Sequence, residues 1–418
     1  MTLPRLLELV PLNSPLKSEV TIPGSKSITN RALLLAALSL GRTTLQEALW
    51  SEDTEIMVDC LGRLGIEISV APSSRELANR TIVVKGTAGI LTPGGTAEQP
   101  LELFVGTAGT ASRFIAALVC LGSGHYRLSG TARMHERPQG GLFASLRQLG
   151  YDVQSPNDAL PAVIQGSGPR PGASCSVSIE KSSQFASALM LVATHGGWRV
   201  TVVGEDAEES SYVQLTSDVI ADFPRDGGVF VVEPDASSAS YFWGAAWLLG
   251  RGTSTRDSQL TITNWMSRSS QIDARFPEVL AEFPDRISRR SDLGDSIMTA
   301  IVLAPFADTP KTFVNLEKLR VQECERVQAL HTELTRCGAK ILERQDTLHV
   351  TPGPLHGAEI ETYNDHRMAM CFGMLGLSVP GIRIRNPECV RKTFPNFFEK
   401  LCQPPPTGLG AKARSGLS

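Results

Sequence analysis

Apolar runs alternate with short period-two segments along the whole chain, and a glycine marks many of the junctions. In three places an apolar helix end is followed by glycine and then by alternating polar and apolar residues; these places centre on Gly65, Gly150 and Gly338. Each glycine fits the left-handed position that closes a helix, and the alternation after it predicts a half-buried strand. Weaker copies occur at residues 219–224 and 279–287, where Phe-Pro replaces Leu-Gly. The pattern predicts an α/β protein built by internal duplication.

The chain is long enough, at 418 residues, to form more than one domain. Residues 234–239 form a candidate hinge, because they follow a predicted strand, Val229–Glu233, and precede a predicted helix, Ala239–Leu249. The last 16 residues, 403–418, contain three consecutive prolines together with several glycines and serines, so we expect a disordered tail.

Charge and composition exclude several classes of protein. The net charge of −3 argues against a protein that binds nucleic acid by neutralising phosphates. The chain contains no apolar run near the roughly 18 residues that a membrane crossing needs, and no secretory signal pattern, so a cytoplasmic location is expected. Eight cysteines are scattered without C-x-x-C pairs, which predicts reduced thiols and neither a disulfide framework nor a zinc site.

The strongest candidate site is the turn at residues 23–31, which precedes the apolar helix Ala32–Leu40. Proline and glycine end a strand there, and Lys26, Ser27 and Arg31 lie on the first helical turns. Free backbone N–H groups at a helix start already favour anions, so the segment predicts a site for an anionic substrate. The alternative is an ordinary helix cap with solvated side chains. The spacing is not that of a nucleotide P-loop, so ATP binding is not indicated.

Further small-residue turns precede apolar helices in the first half of the chain. Residues 104–113 contain glycines that let a ligand approach the backbone, with Arg113 one turn further on. Pro138 predicts a turn that displays Arg133 and Arg137. Residues 182–184, Ser-Ser-Gln, begin another helix and are equally well explained as an N-cap.

The second half supplies carboxylates. Residues 320–326 are predicted to begin a long helix with Glu323 and Arg326 on one face. Residues 363–367, Tyr-Asn-Asp-His-Arg, form a polar cluster just before an apolar helix, and Lys392 lies in the last segment predicted to be ordered. Cations at element junctions beside small residues indicate a cleft for a phosphorylated, carboxylated small molecule.

Together these segments resemble the 5-enolpyruvylshikimate-3-phosphate synthase family of enolpyruvyl transferases. The resemblance rests on the following motifs, which occur in the family's order and cover the chain nearly to Lys400: PGSKSITNRALLLAAL, LFVGTAGTASRF, RMHERP, SSQ, DASSASYF, RVQECER, TYNDHRMAM and KTFP. It implies two lobes, with six βαβαββ-type units arranged as an inside-out α/β barrel. The implied lobes are residues 23–235 and, in the C-terminal lobe, residues 1–22 with 236–402.

The resemblance also implies the reaction. The enolpyruvyl group of phosphoenolpyruvate is transferred to the 5-hydroxyl of shikimate-3-phosphate with release of phosphate, a step of chorismate and aromatic amino acid biosynthesis. No metal or organic cofactor is needed. A monomer that binds neither nucleic acid nor membrane is expected, and glyphosate is the family's inhibitor.

Residue roles follow from the matching motifs. The residues that resemble the phosphoenolpyruvate ligands are Lys26, Gly109, Arg137, Gln184, Arg326, Arg367 and Lys392. Those that resemble the acceptor ligands are Ser27, Arg31, Ser182, Ser183, Tyr212, Asp295 and Gln322. The residues that resemble the catalytic groups are Lys26, Glu323 and Asp295. Glu323 resembles the acid–base residue at the methylene carbon of phosphoenolpyruvate, and Asp295 resembles the base near the attacking hydroxyl.

Four positions depart from the family pattern: Thr107 replaces asparagine, Glu209 replaces serine, Lys318 replaces asparagine and Gln322 replaces lysine. The changes at 209 and 322 remove a hydroxyl and a cation on the acceptor side. A paralogue that acts on a related, unphosphorylated cyclitol acid is therefore an alternative. A catalytically silent ligand-binding relative is a third reading, and the retained Glu323 and Asp295 argue against it.

Overall fold

The computed structural model describes residues 3–13, 15–204, 207–251, 259–266 and 268–415, and of residues 207–210 only the backbone. The chain divides into two compact units. The N-terminal unit is Gly24–Glu233, and the C-terminal unit comprises Met1–Pro23 and Pro234–Ser418. The lobe expected at 23–235 differs from the N-terminal unit by one residue at its start and two at its end.

The strands are numbered along the chain. They are β1 (Leu6–Val10), β2 (Lys17–Val20), β3 (Arg42–Leu49), β4 (Glu67–Pro72), β5 (Asn79–Lys85), β6 (Leu101–Phe104), β7 (Ser123–Ser129), β8 (Asp152–Gln154), β9 (Ala162–Ser167), β10 (Ser174–Ser178), β11 (Arg199–Val203), β12 (Gly228–Val231), β13 (Gln259–Ile262), β14 (Arg286–Ser288), β15 (Lys311–Val314), β16 (Lys340–Arg344), β17 (Thr347–Thr351), β18 (Glu359–Ile360), β19 (Arg383–Arg385) and β20 (Lys412–Ser415).

The α-helices are numbered in the same way. They are α1 (Lys26–Leu38), α2 (Glu52–Arg63), α3 (Gly109–Leu118), α4 (Ala132–Glu136), α5 (Gly140–Gln148), α6 (Ser183–Gly196), α7 (Ala207–Asp222), α8 (Ala236–Gly250), α9 (Phe276–Glu282), α10 (Ile297–Leu303), α11 (Arg326–Arg336), α12 (His366–Leu375) and α13 (Phe397–Cys402). Short 3-10 turns include Ile272–Arg275, Glu317–Val321 and Pro387–Lys392. No described helix combines the length and apolar content that a membrane crossing requires.

The sheets repeat one design. In the N-terminal unit the strand orders are β12-β3-β5-β4, β6-β7-β9-β8 and β10-β11, and in the C-terminal unit they are β14-β15-β17-β16, β18-β19-β1-β20 and β13-β2. Each four-stranded sheet has one parallel pair followed by two antiparallel pairs, and each two-stranded sheet is parallel. The expected α/β fold with internally duplicated units is confirmed, although two of the six sheets formed by the described residues consist of the parallel pair alone.

Helices occupy the centre of each unit. Helices α1, α3 and α6 contact one another in the N-terminal unit, as do α8, α10 and α12 in the C-terminal unit. Every residue of α3, α10 and α12 is buried. Strands such as β10 instead alternate exposed and buried positions, because one face of the sheet meets solvent. The central helices are therefore mostly apolar, and most of their polar residues lie near their N-termini.

The predicted helix closures are present. Gly65, Gly150 and Gly338 have φ of +89°, +91° and +88°, and each lies between a helix and the strand that follows it. A residue with a side chain is strained at such φ, so glycine is favoured there. The two Phe-Pro copies also join a helix to a strand, α7 to β12 and α9 to β14.

The expectation of a disordered tail from residue 403 is wrong for residues 403–415. Strand β20 pairs antiparallel with β1, and Leu409 is 2% exposed. The Ser18 hydroxyl donates a hydrogen bond to the Gly408 carbonyl at 2.7 Å. The tail is ordered because it completes the edge of a sheet and fills part of the core, which its proline-rich composition does not reveal. Residues 416–418 lie outside the described part of the chain.

Candidate active site

The N-termini of the buried helices carry the predicted site residues. In the N-terminal unit, helix α1 begins at Lys26, α3 at Gly109 and α6 at Ser183. In the C-terminal unit, Asp295 lies two residues before α10 and Arg367 lies in the first turn of α12. Helix N-termini present free N–H groups and a positive potential, so each unit offers a surface suited to anions.

The turn before α1 is held by its backbone. The Gly24 amide donates to the Asn79 side chain at 2.8 Å, and the Ser25 amide donates to the Glu233 carbonyl at 2.7 Å. A Cβ atom on Gly24 would lie 2.1 Å from the Glu47 carbonyl oxygen, so this position requires glycine. The turn places the Lys26 ammonium 3.2 Å from the buried Asp53 carboxylate, a partner that the sequence pattern does not reveal.

Arg31, an expected acceptor ligand, is deeply buried. It is 2% exposed, and its guanidinium donates to the Thr216 hydroxyl at 2.8 Å, the Ser27 carbonyl at 2.9 Å and the Ser187 hydroxyl at 3.1 Å. Burial lowers the pKa of Arg31 to about 10. These contacts tie α1 to α6 and α7, and contact of Arg31 with the acceptor stays a prediction.

Gly109, Arg113 and Arg137 converge at the start of α3. The Arg113 guanidinium donates to the Gly109 carbonyl at 2.9 Å and to the Pro138 carbonyl at 2.7 Å. A Cβ atom on Gly109 would lie 2.7 Å from Nη1 of Arg113 and 2.8 Å from both terminal nitrogens of Arg137. The turn expected before Pro138 is wrong for residues 132–136, which form the short helix α4, and Arg133 pairs there with Glu136 at 2.7 Å. Of these two arginines, Arg137 lies against Gly109.

The N-cap interpretation of the Ser-Ser-Gln segment is confirmed, and its role in ligand binding stays a prediction. The Ser182 hydroxyl caps α6 by accepting from the Gln184 amide at 3.2 Å. Ser183 is buried, whereas Gln184 is half-buried. Tyr212 is half-buried on α7. Glu209 belongs to the same helix, but its side chain lies outside the described part of the structure.

In the C-terminal unit, Asp295 is surrounded by guanidinium groups. Its carboxylate lies 2.9 Å from Arg289, 3.1 Å from Arg367 and 3.9 Å from Arg326. Burial by itself raises the pKa of Asp295, but the three positive charges outweigh burial and hold this pKa well below its usual range. The carboxylate is therefore ionised, as a base must be before it takes a proton.

Arg326 is the centre of a second network and is 1% exposed. Its Nε and Nη2 atoms lie 2.7 and 3.2 Å from the two oxygens of Asp365. Nη2 also donates to Glu323 at 2.8 Å, and Nη1 donates to the Gln322 carbonyl oxygen. Burial lowers the pKa of Arg326, but the neighbouring carboxylates, Asp365 foremost, outweigh burial and raise it. Arg326 stays a cation with fixed orientation.

The predicted long helix from residue 320 is wrong in its start. Residues 317–321 form a 3-10 turn, and α11 begins only at Arg326. Glu323 reaches Arg326 across the start of the helix, and its side chain is 14% exposed. Backbone N–H groups at a helix start have no partner within the helix, so this position suits a group that meets an anionic ligand.

Arg367 joins the N-termini of the three central helices. Its guanidinium donates to the Ser237 hydroxyl on α8 at 3.1 Å and to the Tyr241 hydroxyl at 3.3 Å, besides its contact with Asp295. Lys392 and Lys318 are also buried, at 5% and 7% exposure. Among the described residues, no cluster of three or more His, Cys, Asp or Glu side chains could hold a metal ion.

Asp365 and Arg289 were not assigned a role from the sequence. Asp365 caps α12 by accepting from the Arg367 amide at 2.8 Å, and it also orients Arg326. The sequence could have indicated this capping role, because Asp365 lies in the polar cluster at residues 363–367, directly before an apolar helix. Arg289 had only the weaker signal of an Arg-Arg pair after a predicted strand.

These features define a protein class: two α/β units, each with cations and small residues at the N-termini of buried helices. The model of the family described as EPSP synthase (3-phosphoshikimate 1-carboxyvinyltransferase) matches residues 11–226 and 222–401. The chain therefore belongs to the EPSP synthase family.

Curated relatives and a solved structure agree with this assignment. A 3-phosphoshikimate 1-carboxyvinyltransferase of Trichormus variabilis is 38% identical over 93% of this chain and 97% of its own length. The protein of the same name from Nostoc punctiforme is 36% identical over 95% of this chain and 98% of its own. The structure of EPSP synthase from Acinetobacter baumannii has a similar fold, with a TM-score of 0.75 at 20% identity, covering 98% of this chain and 99% of that one.

Proposed function

We propose that this protein transfers the enolpyruvyl group of phosphoenolpyruvate to the 5-hydroxyl of shikimate-3-phosphate and releases inorganic phosphate. Membership of the family and the name shared by its relatives support this reaction. The observation that carries the chemistry is that one buried cation, Arg326, lies between two carboxylates, with Glu323 at 2.8 Å and Asp295 at 3.9 Å. A proton donor and a proton acceptor thus flank one group suited to an anionic substrate.

Phosphoenolpyruvate carries a phosphate and a carboxylate, and each unit supplies groups that suit these anions. On the N-terminal unit we assign Lys26, Arg137 and Gln184, with Gly109 leaving room for close approach. On the C-terminal unit we assign Arg326, Arg367 and Lys392. Charge-assisted hydrogen bonds to phosphate and carboxylate are among the strongest polar contacts in proteins.

The acceptor is assigned to the hydroxyls and amide of Ser27, Ser182, Ser183, Tyr212 and Gln322, together with Arg31 and Asp295. Asp295 accepts a hydrogen bond from the 5-hydroxyl and takes its proton as the hydroxyl oxygen bonds to C2 of phosphoenolpyruvate. Anions that bind Arg326 and Arg367 neutralise part of the charge that lowers the pKa of Asp295. Substrate binding therefore makes Asp295 a stronger base.

Glu323 handles the proton at C3. In the addition step the C2–C3 double bond takes a proton from Glu323 at C3 while the acceptor oxygen bonds to C2. In the second step the C2–O bond to phosphate breaks, Glu323 takes a proton back from C3, and the double bond forms again. The proton that Asp295 took from the 5-hydroxyl leaves with the phosphate, so both carboxylates return to their starting states. Lys26 stabilises the charge of the departing phosphate. One carboxylate thus gives and regains a proton, and the products are the enolpyruvyl ether and phosphate.

The test is product formation by the purified protein. Incubation with phosphoenolpyruvate and shikimate-3-phosphate should release one phosphate per enolpyruvyl ether formed, as measured by a phosphate assay and by proton NMR of the vinyl protons. Omitting either substrate is the control. Plain shikimate in place of shikimate-3-phosphate tests the unphosphorylated acceptor. Turnover with plain shikimate alone, or with neither acceptor, would refute the proposed reaction.

We further propose that the protein acts as a monomer in the cytoplasm, without metal or organic cofactor and without a nucleic-acid or membrane partner. The near-neutral charge of the chain and the chemistry above, which needs only side chains, support this. Light scattering should give the mass of one chain, and activity should survive dialysis against EDTA. A dimer mass or an activity lost with the metal would contradict it.

A further inference from the structure

Arg289 lies at the end of β14, where this strand runs parallel to β15. Its amide donates to the Val314 carbonyl at 3.1 Å, and its side chain is 2% exposed. Ligand sites in α/β proteins form at the carboxyl ends of parallel strands, and the segment that carries Gln322 and Glu323 follows β15 at this same end. Burying an arginine costs free energy unless its charge is paired or binds a ligand. The burial of Arg289 therefore indicates that its charge has such a partner.

The Arg289 guanidinium and the Gln322 amide meet on one oxygen atom. Nη2 of Arg289 lies 2.9 Å from Oδ1 of Asp295, and Nε2 of Gln322 lies 3.4 Å from the same oxygen. The family pattern expects a lysine at position 322, and the neutral amide there cannot balance an acceptor phosphate. Arg289 therefore places a positive charge beside the position where the expected ammonium has been lost.

The neighbouring arginine has a different environment. Arg290 pairs with Glu317, and both side chains are partly exposed, at 40% and 31%. Arg289 is instead directed towards Asp295 and lies near Arg326. The single negative charge of Asp295 is shared among Arg289, Arg367 and Arg326. Arg289 therefore contributes to a net positive charge at the acceptor side of the site.

We propose that Arg289 binds the phosphate of the acceptor and takes the place of the lysine that Gln322 replaces. The proposal rests on the proposed function and identifies the acceptor as a phosphorylated cyclitol acid. A guanidinium can contact two phosphate oxygens at once, which a single ammonium cannot match. It follows that the exchange at position 322 moves the phosphate-binding charge to Arg289 and does not abolish it.

The test moves the positive charge from position 289 to position 322 and follows the effect by steady-state kinetics. Arg289→Gln should raise the KM for shikimate-3-phosphate about tenfold or more, since a charged contact is lost, and leave the KM for phosphoenolpyruvate within about threefold. Adding Gln322→Lys to this variant should recover most of the loss, because the charge returns to the neighbouring position. Arg290→Gln is the matched control and should leave both KM values unchanged.

Other results would overturn the proposal. A fall in kcat with an unchanged KM for shikimate-3-phosphate would mean that Arg289 acts only by orienting Asp295, and failure of Gln322→Lys to rescue would exclude the relocation. If Arg289→Gln does not fold, Arg289→Lys keeps a charge opposite Asp295 but loses the two-point contact. Its KM for shikimate-3-phosphate should rise about threefold to tenfold, and an unchanged value refutes the proposal. A wild-type protein inactive on shikimate-3-phosphate refutes the proposed function itself.

Discussion

Replacing Glu323 by glutamine separates proton transfer from substrate binding. The amide has the shape of the carboxylate but cannot deliver or regain a proton at C3. Arg326, the cation that Glu323 contacts at 2.8 Å, keeps both of its contacts with Asp365, at 2.7 and 3.2 Å. The glutamine carbonyl oxygen can still accept the hydrogen bond from Nη2. The substitution therefore removes the acid–base group and preserves the orientation of the guanidinium.

The substitution should change kcat far more than it changes the Kd for phosphoenolpyruvate. General acid–base catalysis contributes about 10²- to 10⁴-fold, or roughly 3–5 kcal/mol of transition-state stabilisation. Replacing one charged hydrogen bond to Arg326 by a neutral one changes the ground state by about 1 kcal/mol. Glu323→Gln should thus lower kcat at least about 100-fold, while the Kd for phosphoenolpyruvate changes less than about fivefold.

Rapid-quench measurement of phosphate release gives kcat, and calorimetric titration gives the Kd for phosphoenolpyruvate. Glu325→Gln is the control, because it makes the same charge change two residues away. The Glu325 carboxylate caps α11 through the Gln328 amide and pairs with Arg320. Turnover of the Glu323 variant above about a tenth of wild type would refute the acid–base assignment. An equal loss of turnover in the Glu325 variant would show that the effect comes from disturbing the segment before α11 and not from the loss of proton transfer.

Three further predictions test other parts of the molecule. In Gly109→Ala the added methyl must displace the Arg137 guanidinium, 2.8 Å from the new Cβ; the glyphosate inhibition constant should rise about tenfold more than the KM for phosphoenolpyruvate, and an unchanged ratio would argue against this placement. Binding of both substrates should lower the radius of gyration in X-ray scattering, because their assigned ligands belong to both units; an unchanged radius would contradict this prediction. Burial, with Asp295 nearby, raises the pKa of Asp273 to about 6 from 3.8, so its contribution to the free energy of unfolding falls as pH rises through this window. The Tm of Asp273→Asn relative to wild type should therefore increase between these pH values, and a difference that does not change with pH would contradict the shift.

Local features of the fold could be predicted because they depend on residues close in sequence. The helix closures at Gly65, Gly150 and Gly338 follow from a backbone conformation that glycine adopts without strain. The candidate anion sites at Lys26 and Gly109 follow in the same way, since small polar residues before an apolar run begin a buried helix. The motif order was also specific enough to indicate the family.

Contacts between distant segments were decided only by the tertiary structure. Asp365 could be recognised as a helix cap, but its ion pair with Arg326 depends on how α11 and α12 pack. The ordered tail at residues 403–415 depends on β1, some 400 residues earlier, which offers an unpaired strand edge. Arg289 and Gln322 reach the same oxygen of Asp295 only because β14 and β15 are adjacent and parallel. Hydrophobic periodicity and turn residues determine the elements locally, whereas the partner of a buried charge is set by which elements the core brings together.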